Sequence, residues 1–180
     1  PEIGLDYVVD QGRLEELKQG PIYWLDSADF GPTVGTGGVA MWELHVAGVA
    51  GHSGLTHNCV NALELAMASV LALVRWFEET YPPHADEARW GFLGPSTLKP
   101  TVITVPNNKI TKIPGSAVVE GDIRLTPFYD MREAIQGAQA FISALDARLE
   151  ADDPPPGFPR IRTVSGRRGS VRGTARRAAV

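Results

Sequence analysis

The residues best suited to chemistry lie in a glycine-rich stretch, where His52, His57 and Cys59 form the pattern H-x4-H-x-C. The spacing of the two histidines suits a zinc pair. Structural zinc takes four ligands, however, and no second cysteine or nearby histidine completes the set. A histidine in a positioned loop can instead donate a hydrogen bond to a developing oxyanion or to a substrate carboxylate. We therefore take His52 as the main catalytic candidate and disfavour a self-contained zinc site.

Three further candidates are charged side chains outside this stretch. Arg124 shares the polar face of a predicted strand with Asp122, so it could clamp a carboxylate or simply pair with Asp122. Asp26 and Asp29 follow the short apolar run 22–25, which is typical of a strand buried on both faces. Carboxylates at such a strand end bind ligands in α/β folds, but they also form solvated turns, and the sequence alone leaves both open.

The elements on either side of the histidines should hold them in place. Residues 42–46 alternate apolar and polar side chains, which predicts a half-buried strand with His45 on its solvated face. After the loop, Asn61 is a good N-cap, and Glu64 should complete a capping box by accepting a hydrogen bond from the Asn61 backbone N–H. An apolar stripe then predicts a helix from Ala62 to about Tyr81, which the following prolines stop.

The same devices recur in the second half of the chain. Strands are predicted at 101–105 and 117–125, and a helix capped by Asp130 should follow them. The order strand, helix, strand, strand, helix predicts an α+β, ferredoxin-like two-layer sandwich, with both helices on one face of an antiparallel sheet. No strand pattern follows Glu150. We therefore expect the closing strand to be missing, and the open sheet edge to cause self-association or poor expression.

The end of the chain differs from the rest in composition. From Pro154 to Val180 there are seven arginines and no Asp or Glu, with Pro, Gly, Ser and Thr between them. This composition predicts a disordered tail over 151–180. An arginine-rich arm for RNA or acidic membranes is the alternative, but the tail lacks interleaved aromatic residues and a helical stripe.

The 180 residues allow one domain with a core, or a core and a tail, but hardly two domains. The net charge of −4 gives no reason to expect nucleic acid. No apolar run could cross a bilayer, no signal peptide is recognisable, and the single Cys59 fits a reducing compartment, so we expect cytoplasm or an organelle stroma. A first residue other than Met suggests a fragment. A helix is predicted over Leu5–Gln19, although Gly12 could divide it into two pieces.

Several motifs together resemble the M20 metallopeptidases, the family of acetylornithine deacetylase, succinyl-diaminopimelate desuccinylase, aminoacylase and carboxypeptidase. They are D-S-A-D at 26–29, V-G-T-G-G at 34–38, G-V-A-G-H-S-G-L-T-H-N-C-V-N-A-L-E-L-A-M at 48–67, P-S-T-L-K-P-T at 95–101 and G-D-I-R-L-T-P-F-Y-D at 121–130. The similarity covers roughly residues 1–150 and is greatest to the acetylornithine deacetylase branch. Two features depart from the family: T-K-I-P at 111–114 replaces N-x-I-P, and the tail after Asp153 matches nothing.

The resemblance implies two parts, residues 1–38 from an α/β catalytic domain and 39–150 as the lid that mediates dimerisation. The tail at 151–180 is outside the resemblance. The resemblance also implies that Asp26, with Asp29 as the alternative, is a metal ligand. His52 corresponds to the lid histidine that reaches the active site of the partner subunit and stabilises the oxyanion. Asn61 and Arg124 correspond to residues that bind the substrate.

The function implied is that of a fragment of a zinc-dependent amidohydrolase that removes an N-acyl group from an amino acid, within a homodimer formed through the lid. Zinc or cobalt would serve the full-length enzyme, whereas the isolated chain should hold no metal and be inactive, because the remaining ligands and the general base lie outside it. The alternatives are a non-catalytic dimerisation module and another deacylase of the family, such as a desuccinylase, an aminoacylase or a dipeptidase.

Overall fold

A computed structural model describes residues 5–20, 37–106, 109–159 and 169–177. The chain divides into two compact units, Pro1–Val34 and Gly35–Val180. In the first unit, α1 (Leu5–Asp10) is followed by a short 3-10 helix, Glu15–Gln19. Gly12 lies between them with φ at +66°, a conformation that favours glycine, so the predicted helix is indeed divided into two pieces.

The second unit is built on a four-stranded antiparallel sheet. Its elements in chain order are β1 (Gly38–Ala47), β2 (Gly51–His52), α2 (Ala62–Thr80), α3 (Ala85–Arg89), β3 (Thr97–Thr104), β4 (Lys112–Ile113), β5 (Ser116–Leu125), α4 (Met131–Glu150) and β6 (Ser170–Arg177). The strand order in the large sheet is β3-β5-β1-β6, while β2 and β4 form a separate two-stranded ladder. With two helices packed on the sheet, this is the predicted ferredoxin-like sandwich.

One face of the sheet forms the core. Along β1 the buried residues alternate with exposed ones, and the helices α2 and α4 cover the buried side. Met67 and Leu71 belong to the apolar pattern that predicted α2, but they lie off its buried side and are about half exposed. The largest fully buried side chains include Phe77, Leu44 and Leu65. Gly121 lies opposite Trp42 in the ladder, and a side chain there would collide with the Trp42 ring and with the Lys99 carbonyl.

The expectation of a missing closing strand is wrong. Ser170–Arg177 pairs antiparallel with β1 as β6, on the edge that was expected to stay open. Val171 is only 1% exposed, and its backbone N–H donates to Asp146 Oδ1 at 2.8 Å. The prediction of disorder is therefore wrong for these eight residues. Because β6 occupies the edge of β1, an open edge there no longer supports the prediction of self-association.

Two smaller differences concern boundaries and caps. The third strand starts at Thr97 rather than Thr101, and it contains Pro100, which an edge strand tolerates next to the register shift found there. Asn61 caps α2 as predicted, but Glu64 accepts a hydrogen bond from the Asn61 side chain (3.0 Å) rather than from its backbone N–H. The predicted strand 22–25 lies outside the described residues.

Candidate active-site residues at the two ends of the sheet

His52 lies in a compact structure formed by residues 48–60 and 109–115, which we call the His52 module. The module is held together by the β2–β4 ladder, in which His52 is the partner of Lys112. The Ser53 N–H donates to the Thr111 carbonyl at 3.0 Å and extends this ladder. These backbone bonds give an exposed loop a defined position.

The His52 ring is exposed, and one of its nitrogens is engaged. Nδ1 accepts a hydrogen bond from the Gly54 backbone N–H at 3.0 Å. In a neutral imidazole the other nitrogen then carries the proton, so Nε2 is a hydrogen-bond donor. A donor held in this tautomer by the backbone is suited to an anionic oxygen.

The other members of the H-x4-H-x-C pattern do not complete a metal site. His57 is exposed in a short 3-10 helix, and Cys59 is half-buried with its thiol 3.5 Å from the Leu55 carbonyl. In the part of the chain that the structure describes, no three His, Cys, Asp or Glu residues lie close enough to hold a metal ion. Asp26, the predicted ligand, and Asp29, its alternative, lie outside that part.

The Asn61 side chain is occupied at the start of α2. Its Oδ1 accepts from the backbone N–H groups of Leu63 (3.0 Å) and Glu64 (3.5 Å), and its Nδ2 donates to Glu64 Oε1. These bonds satisfy two of the free amides of the helix terminus. Asn61 thus fixes the end of the His52 module where it joins α2.

Arg124 lies at the other end of the sheet and pairs with Asp122. Its Nε donates to Asp122 Oδ2 at 2.6 Å, and the arginine side chain remains 59% exposed. It borders a groove of about 250 Å³ together with Gly37, Phe92 and Pro95. Arg124 could therefore still bind a carboxylate in addition to its ion pair with Asp122. The pair uses only Nε of the guanidinium, and the groove has room for a small anion.

A buried polar network that was not predicted from the sequence supports this groove. Glu87, Ser96 and Thr126 are all buried; the Thr126 hydroxyl donates to Glu87 Oε1 at 2.8 Å, and the Thr126 backbone N–H donates to Ser96 Oγ at 3.0 Å. The network ties α3 and the start of β3 to the chain just after Arg124. Ser96 and Thr126 lie in the motifs at 95–101 and 121–130 that carry the family resemblance, which could have pointed to them, whereas Glu87 lies in none of these motifs.

His52 and Arg124 are far apart within one chain. The His52 module joins the start of β5 at Ser116, and Arg124 lies near the end of the same strand. A strand rises about 3.3 Å per residue, so about 26 Å separates Ser116 from Arg124. An N-acyl amino acid has the backbone of about two residues, or roughly 7 Å. One such molecule could not contact both side chains of the same copy.

The fold and the matched sequence identify the family. Residues 34–150 match the M20 peptidase dimerisation domain. The chain belongs to the M20 peptidase family, and this segment is its dimerisation domain. Enzymes of this family are generally metal-dependent. None of the helices in the described ranges is long and apolar enough to cross a membrane.

Two curated relatives match most of the chain. An acetylornithine deacetylase of Arabidopsis thaliana is 44% identical over 150 residues, which are 83% of this chain and 34% of that protein. An acetylornithine deacetylase of Dictyostelium discoideum is 39% identical over 149 residues, which are 83% of this chain and 33% of that protein. The chain thus spans about a third of the length of these relatives.

Solved structures agree on the fold. A hydantoinase/carbamoylase family amidase from Burkholderia ambifaria has a TM-score of 0.54 at 18% identity, with 79% of this chain and 29% of that chain covered. A hydantoinase/carbamoylase family amidase from Burkholderia phymatum has a TM-score of 0.50 at 16% identity, with 79% and 28% covered. At these identities the likeness concerns the fold alone.

Proposed function

We propose that this chain is part of an acetylornithine deacetylase, an enzyme that hydrolyses N-acetylornithine to ornithine and acetate. Residues 39–150 would be its lid, and residues 1–38 part of its catalytic domain. The observation that carries the proposal is the similarity to two acetylornithine deacetylases, at 44% and 39% identity and each over 83% of the chain. The single cysteine fits a reducing compartment, so we place the enzyme in the cytoplasm or an organelle stroma.

His52 would act on the oxygen of the amide that is cleaved. When water attacks an amide carbonyl, that oxygen becomes negatively charged, and a positioned donor stabilises the transition state. The bond from Gly54 to Nδ1 supports this role, because it leaves the Nε2 proton for the substrate. Loss of one such donor typically lowers kcat by about a hundredfold or more.

Arg124 would hold the substrate carboxylate beside the groove that it borders. A guanidinium has five N–H donors, so its terminal nitrogens can donate to a substrate carboxylate while Nε keeps its bond to Asp122. For Asn61 we propose a positioning role in place of the direct substrate contact inferred from the sequence. Its amide already serves the helix start and Glu64.

The metal of the complete enzyme would be zinc or cobalt. The described residues do not fit such an ion, since no group of three potential ligands lies together among them. The ion would therefore be held by other residues of the enzyme, Asp26 or Asp29 among them. The contribution of the described residues is the donor at His52 and the cation at Arg124.

A homodimer would bring these two groups to one substrate. Since about 26 Å of β5 separates them in one copy, His52 of one subunit would serve the site that contains Arg124 of the other. In the described sheet, β3 is paired on one side only, and beside it lies an apolar groove of about 440 Å³ between β3 and α2. The exposed apolar side chains there are Met67, Leu71, Val102 and Ile103, each about half exposed. A second copy of this chain would cover them, as the name of the matched domain suggests.

A hybrid enzyme tests the proposal. It is the Arabidopsis relative in which this chain's sequence replaces the 150 matched residues. We expect metal-dependent acetate release from N-acetylornithine, and a loss of about a hundredfold or more in kcat for His52→Ala. His57→Ala is the matched control, because His57 is an exposed histidine of the same loop, and it should keep kcat within a few-fold. A folded dimeric hybrid without activity would favour a non-catalytic dimerisation module, and equal effects of the two substitutions would refute the role of His52.

A further inference from the structure

We propose that His52 and Lys112 together form a binding site for a negatively charged oxygen, with Lys112 as a second contact that the family resemblance did not assign. The site itself follows from the β2–β4 ladder. The identity of its natural ligand, an oxygen of the N-acyl amino acid, rests on the proposed function.

The ladder places the two side chains on the same face. His52 and Lys112 are directly opposite each other, and the Ser53 N–H bond to the Thr111 carbonyl flanks the pair. In an antiparallel ladder this bond pattern marks a non-hydrogen-bonded pair, in which the side chains approach most closely, with Cβ atoms about 4.5–5.5 Å apart.

Burial shows which face this is. The neighbouring pair in the ladder is Gly51 and Ile113, and Ile113 is only 9% exposed. Successive residues of a strand point to opposite faces, so His52 and Lys112 point outward, and both are exposed. The ammonium and the imidazole Nε2 are therefore both available to a ligand that approaches from outside.

The module has an unusual charge for this acidic chain. Residues 48–60 and 109–115 contain two lysines and two histidines and no Asp or Glu, although the chain has a net charge of −4. Among the described residues, no carboxylate forms an ion pair with Lys112. The positive charge is thus available to an anion instead of being neutralised within the chain.

The surroundings indicate a face that is covered during function. Leu55 and Ile110, both in the module, are 52% and 103% exposed. Apolar side chains that close over a bound anion exclude water, which strengthens the attraction between the anion and the ammonium. A lysine is suited to this task, since it is a compact charge on a flexible stem.

The experiment uses the 180-residue chain and two probes, acetate and N-acetylornithine. The probes are titrated at about pH 8, where an ordinary imidazole is neutral and an ordinary ammonium is charged, while the His52 ring signals are followed by NMR. We expect a saturable shift of these signals, and an apparent Kd about threefold or more higher in Lys112→Gln. Lys112→Arg should retain binding, because it keeps the charge.

Lys109→Gln is the matched control. Lys109 is an exposed lysine of the same module, and its removal changes the net charge equally. Its Kd should stay close to that of the unmodified chain. Equal weakening by both substitutions would reveal only diffuse attraction and overturn the site, as would the absence of a saturable shift in the unmodified chain.

Kinetics of the hybrid enzyme distinguish the two sources of the anionic oxygen. If Lys112 contacts a substrate carboxylate, Lys112→Gln raises KM with little change in kcat; if it contacts the oxyanion, kcat falls. The inference and the proposed function can also fail separately. Weakened acetate binding by Lys112→Gln alongside a folded, dimeric hybrid enzyme without activity refutes the proposed function but not the site. Unchanged acetate binding by Lys112→Gln alongside an active hybrid enzyme refutes the site but not the proposed function.

Discussion

The sixth strand is tested by truncating a side chain that a disordered tail could not bury. Val171 is 1% exposed and belongs to the core. Val171→Ala removes two methyl-sized groups, each worth about 0.8 kcal/mol when buried, and leaves a small cavity. We therefore expect a loss of about 2 kcal/mol in the free energy of unfolding.

Chemical and thermal unfolding of the 180-residue chain measure this loss. For a domain of this size, about 2 kcal/mol corresponds to a fall of about 4–8 °C in Tm. Arg172→Ala is the control, because Arg172 is the next residue of β6 and is exposed. Its effect should stay within about 0.5 kcal/mol.

The outcome separates two accounts of the chain. If Val171→Ala and Arg172→Ala both leave stability unchanged, the segment contributes nothing to the core, and the reasoning from burial is refuted. The edge of β1 would then be open, as the amino-acid sequence first suggested. If only Val171→Ala destabilises, β6 closes the sheet.

Two further predictions concern packing and pH. Gly121→Ala should lower the free energy of unfolding, measured by urea titration, by about 1–3 kcal/mol, because the added methyl group collides with the Trp42 ring and the Lys99 carbonyl. Gly94→Ala is the control, since its methyl group meets open space and should have little effect. Burial raises the pKa of Tyr81 above 10.0, and the carboxylates of Glu133 and Asp130 add to this. Because the folded pKa exceeds the unfolded one, this stabilisation is present below about pH 10 and is lost as the pH rises through the folded pKa. Tyr81→Phe should flatten that part of the stability profile, and an unchanged slope would contradict the assignment.

The helices could be predicted from the sequence because their signals are local. Asn61 and Asp130 are N-caps whose side chains accept from the following amides, and the apolar stripes behind them have the helical period. The strand pattern of β1 is equally regular. Together these elements were enough to give the ferredoxin-like order.

The closing strand could not be predicted in this way, because its stability comes from pairing with a distant segment. In β6 the buried Val171 is followed by exposed Arg172, and the remaining residues are rich in arginine and small side chains. Such a segment has no apolar alternation of its own, and the ladder with β1 decides its conformation. The start of β3 was not predicted because of Pro100. Proline fits a strand only at an edge or a bulge, and the edge position of β3 depends on tertiary pairing.

The candidate site was predictable as a set of residue types but not as an arrangement. His52 and Arg124 were both named from the sequence, yet only the direction of β5 shows that they lie at opposite ends of the sheet. Lys112 could not be predicted from T-K-I-P, because its position beside His52 depends on the register of a two-residue ladder. Register is a tertiary property, and no local pattern reports it.

Mixing two impaired variants of the hybrid enzyme tests whether His52 and Arg124 serve one substrate from different subunits. His52→Ala and Arg124→Ala are purified separately, combined under conditions that exchange subunits, and assayed for acetate release. If the two residues serve one substrate from different subunits, each mixed dimer has one intact site, and random exchange restores about a quarter of the original activity. If both residues act within one subunit, the mixture stays as inactive as its components, and the account is contradicted.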